Sequence, residues 1–173
     1  MIKLYYASAI DCCVEECFRQ IEEFKKIFEP YCKLTKVVNH CIEKNNSLLQ
    51  VYGAGFGDNP IIGPDSSDVV KGVVCAFDLR HIRECDILLV VTDLQTFCPG
   101  TMMELEYARQ MGLYIIVLCL PPKVTIDFGG DTPALMTITT PKVKCKNIFI
   151  ETYANKVIYS IEELKEILDE VCK

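Results

Sequence analysis

A doubly wound α/β fold, with helices on both faces of one parallel sheet, is predicted for this chain by three observations. Strand-like and helix-like segments alternate along the sequence. The runs at 87–92 and 114–120 are continuously apolar, which is typical of central strands that are buried on both faces. A length of 173 residues suits one domain, residues 1–173, with a sizeable core and no internal repeat.

The first half of the chain begins with a strand and an amphipathic helix. Residues 2–7 predict the strand, and residues 11–28 repeat apolar side chains at helical spacing. Residues 34–38, after the break at Pro30, predict a second strand. Between Gly53 and Pro64 there are four glycines and two prolines, so a loop is predicted there, and we interpret it as a cover for a bound ligand.

The second half repeats strand and helix in order. A helix is predicted over 66–84, with one apolar face that comprises Val69, Val70, Val73, Val74, Phe77 and Ile82. The strand at 87–92 follows, then a helix that enters through Pro99 and ends at Gly112, then the strand at 114–120. Ser160 with Glu163 forms a capping box that opens a final helix.

Composition and charge exclude several function classes. The net charge is −6 and no Lys/Arg cluster alternates with aromatic residues, so a nucleic acid polymer is not an expected partner. The apolar runs fall far short of the ~20 residues that span a bilayer, so no membrane partner is expected either. Because the first residues enter a strand directly, without a basic leader or a cleavage site, a cytoplasmic protein is expected.

The cysteines and histidines favour structural roles over metal binding. The eleven cysteines contain no C-x-x-C pair, and several lie in apolar runs, where a reduced thiol acts as a small core side chain: Cys75, Cys85 and Cys119. The two histidines, His40 and His81, are too scattered to suggest a metal site. We therefore expect no metal and no redox cofactor.

The candidate site lies where the predicted strands end, because parallel sheets bind ligands at their carboxyl edge. Those ends are residues 5–10, 92–101 and 120–123. Glu104 follows the second of them, in the first or second turn of a helix, where the helix dipole favours a charged carboxylate. An ionised carboxylate can attack an anomeric carbon, so Glu104 is a candidate nucleophile. The alternative is that Glu104 only complements the helix dipole.

Two further residues are candidates for the same site. Asp78, on the preceding helix, is an acid that can transfer a proton if that helix lies beside the same strand ends. Tyr5, near the end of the first strand, can orient a carboxylate through its hydroxyl. The alternatives are a solvated helix residue for Asp78 and half-buried strand packing for Tyr5.

These residues occur in segments that resemble a known family. The segments are LYYA at 4–7, FDLRHI at 77–82, CDILLV at 85–90 and GTMMELEYA at 100–108. They are similar to the corresponding segments of the nucleoside 2-deoxyribosyltransferase family, and the similarity is clearest over about residues 77–120.

The resemblance implies a flavodoxin-like sheet and an N-glycosyl transfer reaction. It implies that Glu104 is the nucleophile, that Asp78 contacts and protonates the base, and that Tyr5 orients the nucleophile. It also implies a homo-oligomer, since a neighbouring subunit completes the active site in that family. The expected partners are a nucleoside or nucleotide and a free nucleobase.

Two positions depart from the family pattern, and both concern the 5′ end of the sugar. Cys98 stands where the family has an Asp six residues before the nucleophile, and Ala134 stands where it has an Asn before a Leu-Met pair. Loss of the carboxylate removes repulsion of a phosphate, and the N–H groups of Gly100 and Thr101 at a helix start can bind an anion. The predicted substrate-binding residues are Ser8, Asp93, Cys98, Gly100, Thr101, Ala134 and Met136.

Three functions follow from these residues. The first is a nucleoside 2-deoxyribosyltransferase that forms a glycosyl ester on Glu104 and passes the sugar to another base. The second is the related nucleoside 5′-monophosphate N-glycosidase, in which water is the acceptor, although the first loop lacks the Gly and Arg residues usual in those enzymes. The third is a binding module that has kept the fold and lost the chemistry, motivated by Cys98 and Ala134.

Overall fold

The computed structural model describes most of the helices and strands of the chain. The described residues are 1–8, 14–32, 37–38, 41–42, 49–53, 56, 67–92, 99–121, 123–127, 135–139, 145 and 147–173. The elements are, in chain order, β1 (Ile2–Ser8), α1 (Val14–Phe28), β2 (Val37–Val38), β3 (Cys41–Ile42), β4 (Leu49–Gly53), α2 (Asp68–Glu84), β5 (Ile87–Thr92), α3 (Pro99–Met111), β6 (Tyr114–Cys119), β7 (Lys123–Asp127), β8 (Leu135–Thr139), α4 (Ile148–Tyr153), β9 (Lys156–Ile158) and α5 (Ile161–Val171).

Five parallel strands form the central sheet, in the order β4-β1-β5-β6-β9. Counted along the chain within this sheet, the order is 2-1-3-4-5, which is the flavodoxin-like arrangement. The predicted α/β fold is therefore confirmed. The order reverses between β1 and β5, which places the topological switch point at the carboxyl ends of these two strands.

Each face of the sheet has its own core, because side chains alternate along every strand. Leu4 and Tyr6 of β1 belong to one core, which α1 and α5 cover with Phe24, Leu168 and their neighbours. Tyr5 and Ala7 belong to the opposite core, which contains residues of α2, α3 and α4. Helices therefore cover both faces, as predicted.

Local signals fix the ends of several elements as expected. The Ser160 hydroxyl accepts a hydrogen bond from the Glu163 N–H at 3.2 Å, and the Glu163 carboxylate in turn accepts one from the Ser160 hydroxyl. Gly112 ends α3 with φ +77°, a left-handed conformation that favours glycine. Ser160 is thus confirmed as the N-cap of α5, with Glu163 bonded back to its hydroxyl, and Gly112 is confirmed as the end of α3.

The predicted second strand is confirmed at Val37–Val38, but it lies outside the central sheet. Of the predicted strand at 34–38, residues 34–36 lie outside the described part, and Val37–Val38 pairs with Cys41–Ile42 in a separate antiparallel ribbon. The neighbour of β1 is β4. Its last residue, Gly53, has φ +122°, and a Cβ there would lie 2.2 Å from the backbone oxygen of Tyr6. The predicted loop after Gly53 is described only at Phe56.

The predicted apolar face of α2 is wrong in part. Val74 and Ile82 are buried as expected, whereas Val69, Val73 and Phe77 are 77%, 50% and 39% exposed. The face that packs on the sheet is therefore rotated from the predicted one. No helix in the described part of the chain is long and apolar enough to cross a membrane.

Six cysteines are free thiols: Cys32, Cys75, Cys85, Cys119, Cys145 and Cys172. Cys85 and Cys119 are buried, as expected for small core side chains, and burial raises the pKa of each thiol to about 12. Cys75 was expected in the core as well, but it is exposed because it lies on the outward side of α2. The prediction for Cys75 was therefore wrong.

Candidate active site

Tyr5 occupies the centre of the candidate site. It lies in β1, between β4 and β5, in register with Tyr52 and Leu88. The side chain is 1% exposed and points to the face of the sheet that α2 and α3 cover. Backbone hydrogen bonds to strands on both sides hold β1 in place, so the backbone position of Tyr5 is fixed by the sheet.

Glu104 of α3 reaches this tyrosine. The Tyr5 hydroxyl donates a hydrogen bond to Glu104 Oε1 at 2.9 Å, across 99 residues of sequence. Glu104 is the sixth residue of α3, in its second turn, beyond the first turn where the helix dipole acts most strongly. The Tyr5 hydroxyl is thus one described contact that favours the charged form of this carboxylate.

Asp78 of α2 approaches the same hydroxyl. Burial, followed by the negative charges of Glu104 and Asp78, raises the pKa of Tyr5 far above its ordinary value of 10.0. Hydrogen bonding to both carboxylates acts in the same direction. Tyr5 therefore keeps its proton, and the structure brings together the three predicted catalytic residues.

The single proton of the Tyr5 hydroxyl can be donated to only one carboxylate at a time. In the structure it is donated to Glu104. A nucleophile and a general acid at one site require one ionised and one protonated carboxyl group, and the hydroxyl lies between two side chains that can take these roles.

Two aromatic residues beside Asp78 were not predicted as part of the site. Tyr52 lies next to Tyr5 in the sheet, and its ring stacks on His81 with centroids 4.7 Å apart and planes 25° from parallel. His81 is one helical turn after Asp78, and its Nδ1 is buried without a hydrogen bond to the described residues. The spacing of Asp78 and His81 was visible in the sequence, but the place of Tyr52 depends on β4.

Three hydroxyl side chains are buried at the carboxyl edge of the sheet. Ser8 ends β1, Thr92 ends β5 and Thr101 is in the first turn of α3, and each is 7% exposed. They are the buried polar residues of the described part. The Ser8 oxygen makes no hydrogen bond within that part. Gly100, at the start of α3, is exposed.

The remaining predicted binding residues are not placed at the site by the described contacts. Asp93, Cys98 and Ala134 lie outside the described residues. Met136 lies in β8, a strand of the β7–β8 ribbon, opposite Ile126. Their predicted contacts with the sugar stay predictions.

Metal ligands do not cluster in the described part of the chain, where no group of three or more His, Cys, Asp or Glu side chains has the geometry to hold an ion. His81 is engaged in the stack with Tyr52, and His40 lies outside the described residues.

Solved structures of other proteins have a fold similar to that of this chain. A 2-deoxyribosyltransferase from Bacillus psychrosaccharolyticus is similar over 94% of this chain and 90% of its own length, with a TM-score of 0.61 and 15% identity. The chain has the fold of a 2-deoxyribosyltransferase. At this identity the likeness describes the fold and leaves the reaction to be argued from the site.

Two further structures are similar to this chain. A conserved protein from Enterococcus faecalis V583 matches 98% of both chains, with a TM-score of 0.55 and 15% identity. The CMP N-glycosidase BcmB of Clostridium botulinum covers 97% of this chain and 98% of its own, with a TM-score of 0.48 and 17% identity. No family model matches this chain, and no curated protein matches its sequence.

Proposed function

We propose that this protein is a nucleoside 2-deoxyribosyltransferase that exchanges the base of a nucleoside through a covalent intermediate on Glu104. The observation that carries the proposal is the Tyr5 hydroxyl, which donates to Glu104 at 2.9 Å and also interacts with Asp78. The 2-deoxyribosyltransferase fold supports the same class of reaction. The partners are then small molecules, a nucleoside and a free nucleobase.

The first half of the reaction forms an ester between the sugar and Glu104. A carboxylate oxygen of Glu104 attacks the anomeric carbon, the bond from that carbon to the base nitrogen breaks, and its electron pair leaves with the base. Asp78 gives its proton to the departing base, which leaves as a neutral molecule.

The second half reverses these steps with a new base. A nitrogen of the incoming base attacks the anomeric carbon, the ester bond breaks, and Glu104 leaves as a carboxylate. The proton released by the incoming base returns to Asp78. Two displacements at one carbon retain its configuration, so the product has the same anomeric form as the substrate.

Tyr5 has a positioning role in this scheme. It stays neutral, because its pKa is raised, and its hydroxyl directs one Glu104 oxygen while the other is left to attack.

The test is chromatography of mixtures that contain a 2-deoxynucleoside, with and without a second free base. The proposal predicts a new nucleoside only when the second base is present. Glu104→Ala is expected to lower the rate by about a thousandfold or more, equivalent to about 4 kcal/mol of barrier. Mass spectrometry of the wild-type protein with nucleoside alone should detect the sugar ester on Glu104.

Glu106→Gln is the matched control, because Glu106 lies on the same helix but binds Arg109 through two hydrogen bonds of 2.8 Å. It should retain the wild-type rate. Substantial transfer by a folded Glu104→Ala variant would show that the nucleophile is assigned wrongly.

A nucleoside 5′-monophosphate N-glycosidase is the second candidate, and the hydroxyls at the carboxyl edge favour it. Ser8 and Thr101 offer neutral donors at the switch point, and the N-terminus of α3 supplies backbone N–H groups of the kind that bind anions. Such a combination suits a phosphate better than a carboxylate-lined pocket does. In this reaction water replaces the second base as the acceptor.

The 5′ substituent separates these candidates. Release of free base without an acceptor, faster from the 5′-monophosphate than from the nucleoside, would favour the hydrolase. Thr101→Val and Ser8→Ala should then weaken the preference for the monophosphate by about tenfold each, as expected when a hydrogen bond to a charged group is lost. Binding of nucleoside without turnover in any mixture would instead support the binding module.

A further inference from the structure

An aromatic contact joins helix α2 to strand β4 beside the candidate active site. The ring of His81 stacks on that of Tyr52, with centroids 4.7 Å apart and planes 25° from parallel, and it also meets the Phe77 ring at 6.0 Å. Tyr52 and His81 are both half-buried, and Tyr52 packs against the core that contains Tyr5. The stack is therefore part of the packing between α2 and the sheet.

Aromatic contacts, rather than a hydrogen bond at Nδ1, orient the His81 ring. Its Nδ1 atom is buried and makes no hydrogen bond within the described part of the chain. Stacked rings attract each other beyond the apolar area that they bury, and they favour particular geometries. The position of Tyr52 thus determines where the His81 ring lies.

The stack lies one helical turn from Asp78. Asp78 and His81 are three residues apart in α2, so their side chains lie on the same side of the helix. Tyr5 and Tyr52 are register partners in β1 and β4, so their side chains leave the same face of the sheet on adjacent strands. Asp78 interacts with Tyr5. Since His81 stacks on Tyr52, neighbouring turns of α2 contact neighbouring strands.

These two contacts respond differently to the reaction. Asp78 gives up its proton and regains it, so its interaction with the Tyr5 hydroxyl changes during each cycle. The contact between the Tyr52 and His81 rings involves no group that reacts, so it persists while the proton moves. A helical turn that is held at this second point resists rotation about the first, and the Asp78 carboxyl group keeps its direction.

We propose that Tyr52 and His81 are positioning residues, whose stack keeps Asp78 directed at the departing base. This inference rests on the proposed function, because it gives the stack a role in the proton transfer from the Asp78 carboxyl group to the base. The role requires a stacked ring at position 81 and not the imidazole nitrogen, since Nδ1 makes no hydrogen bond within the described residues.

The identity of the departing base distinguishes a role in proton transfer from a role in stability alone. A base whose anion is stable leaves with little help from an acid, whereas a more basic one requires the proton. Fluorine on the base withdraws electrons and makes the base a better leaving group. Misplacement of Asp78 should therefore slow the fluorinated substrates less than the parent compounds, whereas a loss of folded protein slows all of them equally.

The test measures base release by chromatography from 2-deoxyadenosine and 2-deoxyuridine and from their 5′-monophosphates, each with and without fluorine on the base. With the parent compounds, Tyr52→Leu and His81→Leu should each lower kcat by about tenfold, a part of the ~100-fold or more that a general acid contributes. With the fluorinated compounds the loss should be about threefold or less, and KM should change by less than about twofold. His81→Phe keeps a ring to stack on Tyr52 and should restore the wild-type values.

Tyr153→Leu is the matched control. Tyr153 is half-buried, packs against the same core as Tyr52 and contacts the Phe149 ring at 6.0 Å, but it lies on α4. It should slow the parent and fluorinated compounds by the same factor, if at all. Circular dichroism and thermal unfolding confirm that each variant is folded. Hydrogen exchange followed by mass spectrometry provides a readout without substrate, since the amides around Asp78 should exchange faster in Tyr52→Leu than in Tyr153→Leu.

The comparison of variants can overturn this proposal alone. A folded Tyr52→Leu variant with the wild-type kcat would do so, as would an equal loss with parent and fluorinated compounds. A His81→Phe variant as slow as His81→Leu would show that the nitrogen is required instead of the ring, which contradicts the proposal as well. A wild-type protein that releases no base from any of these compounds would overturn the proposed function, and the role of the stack in proton transfer with it.

Discussion

Tyr5→Phe removes one oxygen atom from the centre of the candidate site. The ring of Tyr5 is 1% exposed and packs in the core beneath α2 and α3, and a phenylalanine ring preserves this packing. The hydrogen bond lost is the 2.9 Å contact with Glu104 Oε1. A hydrogen bond to a charged group contributes about 1.5–3 kcal/mol, and about 1.4 kcal/mol corresponds to a tenfold change in rate. We therefore expect kcat for base exchange to fall by about 10- to 150-fold.

The assay is a steady-state measurement of base exchange by chromatography, with kcat and KM determined separately. Because Tyr5 acts on the nucleophile, the loss should appear mainly in kcat. The pH profile should change as well, since Glu104 loses a hydrogen bond that favours its charged form.

Tyr6→Phe is the control for this substitution. Tyr6 is the next residue of β1 and is equally buried, but its ring packs against Phe24 and Phe56 on the opposite face of the sheet. It should leave kcat unchanged. A folded Tyr5→Phe variant with kcat within twofold of the Tyr6→Phe value would refute the positioning role of the hydroxyl.

Three further predictions concern stability. Gly53→Ala should lower the free energy of unfolding by at least about 3 kcal/mol, because the new Cβ meets the backbone oxygen of Tyr6. Gly112→Ala has open space around it and should lower the free energy of unfolding only by the ~1–2 kcal/mol that the left-handed conformation costs an alanine. Urea unfolding measures both changes. Ser160→Ala should cost about 1 kcal/mol through loss of the N-cap of α5, and an unchanged urea midpoint would contradict this. Above pH 9 the thiols of Cys85 and Cys119 lose their protons in the unfolded state, whereas in the folded state they keep them up to about pH 12. The free energy of unfolding should therefore fall as the pH rises from 9 to 12, and it should fall less steeply in the variant with alanine at both positions.

The sequence predicts the central elements well, because their signals are local. The continuous apolar run at 87–92 predicts a buried strand because it is too short for a typical helix, and β5 has these same bounds. Ser160 and Gly112 mark the ends of helices through their own hydrogen bonds and backbone angles. Such features depend on a few residues that are adjacent in the sequence, so a short segment is enough to predict them.

The errors arise where the decisive contact is distant. β4 reads LQVYG, an edge strand with a polar residue and a terminal glycine, and its identity depends on its pairing with β1. The inner face of α2 was predicted wrongly because apolar residues lie on both sides of the helix, so the hydrophobic pattern does not indicate which side packs on the sheet. A helix of this kind can be oriented only from the surface that it packs against.

The same distinction applies to the candidate site. Asp78 and Glu104 were singled out in the sequence as acids on the helices before and after the strand at 87–92, but their meeting at one hydroxyl follows from the positions of two helices on the sheet. The stack of Tyr52 on His81 was missed because it requires the register of β4 against β1.

The position of Tyr5 in the middle of the sheet also determines how this site can be tuned. The hydroxyl belongs to a strand that is hydrogen-bonded along both edges, whereas the two carboxyl groups belong to helices that rest on the sheet through side chains alone. The distance between Asp78 and Glu104 then depends on the size of the side chains that separate these helices from the sheet, Ile82 of α2 and Leu105 of α3. Substitutions there can retune the reaction while the strand that orients it stays where it is.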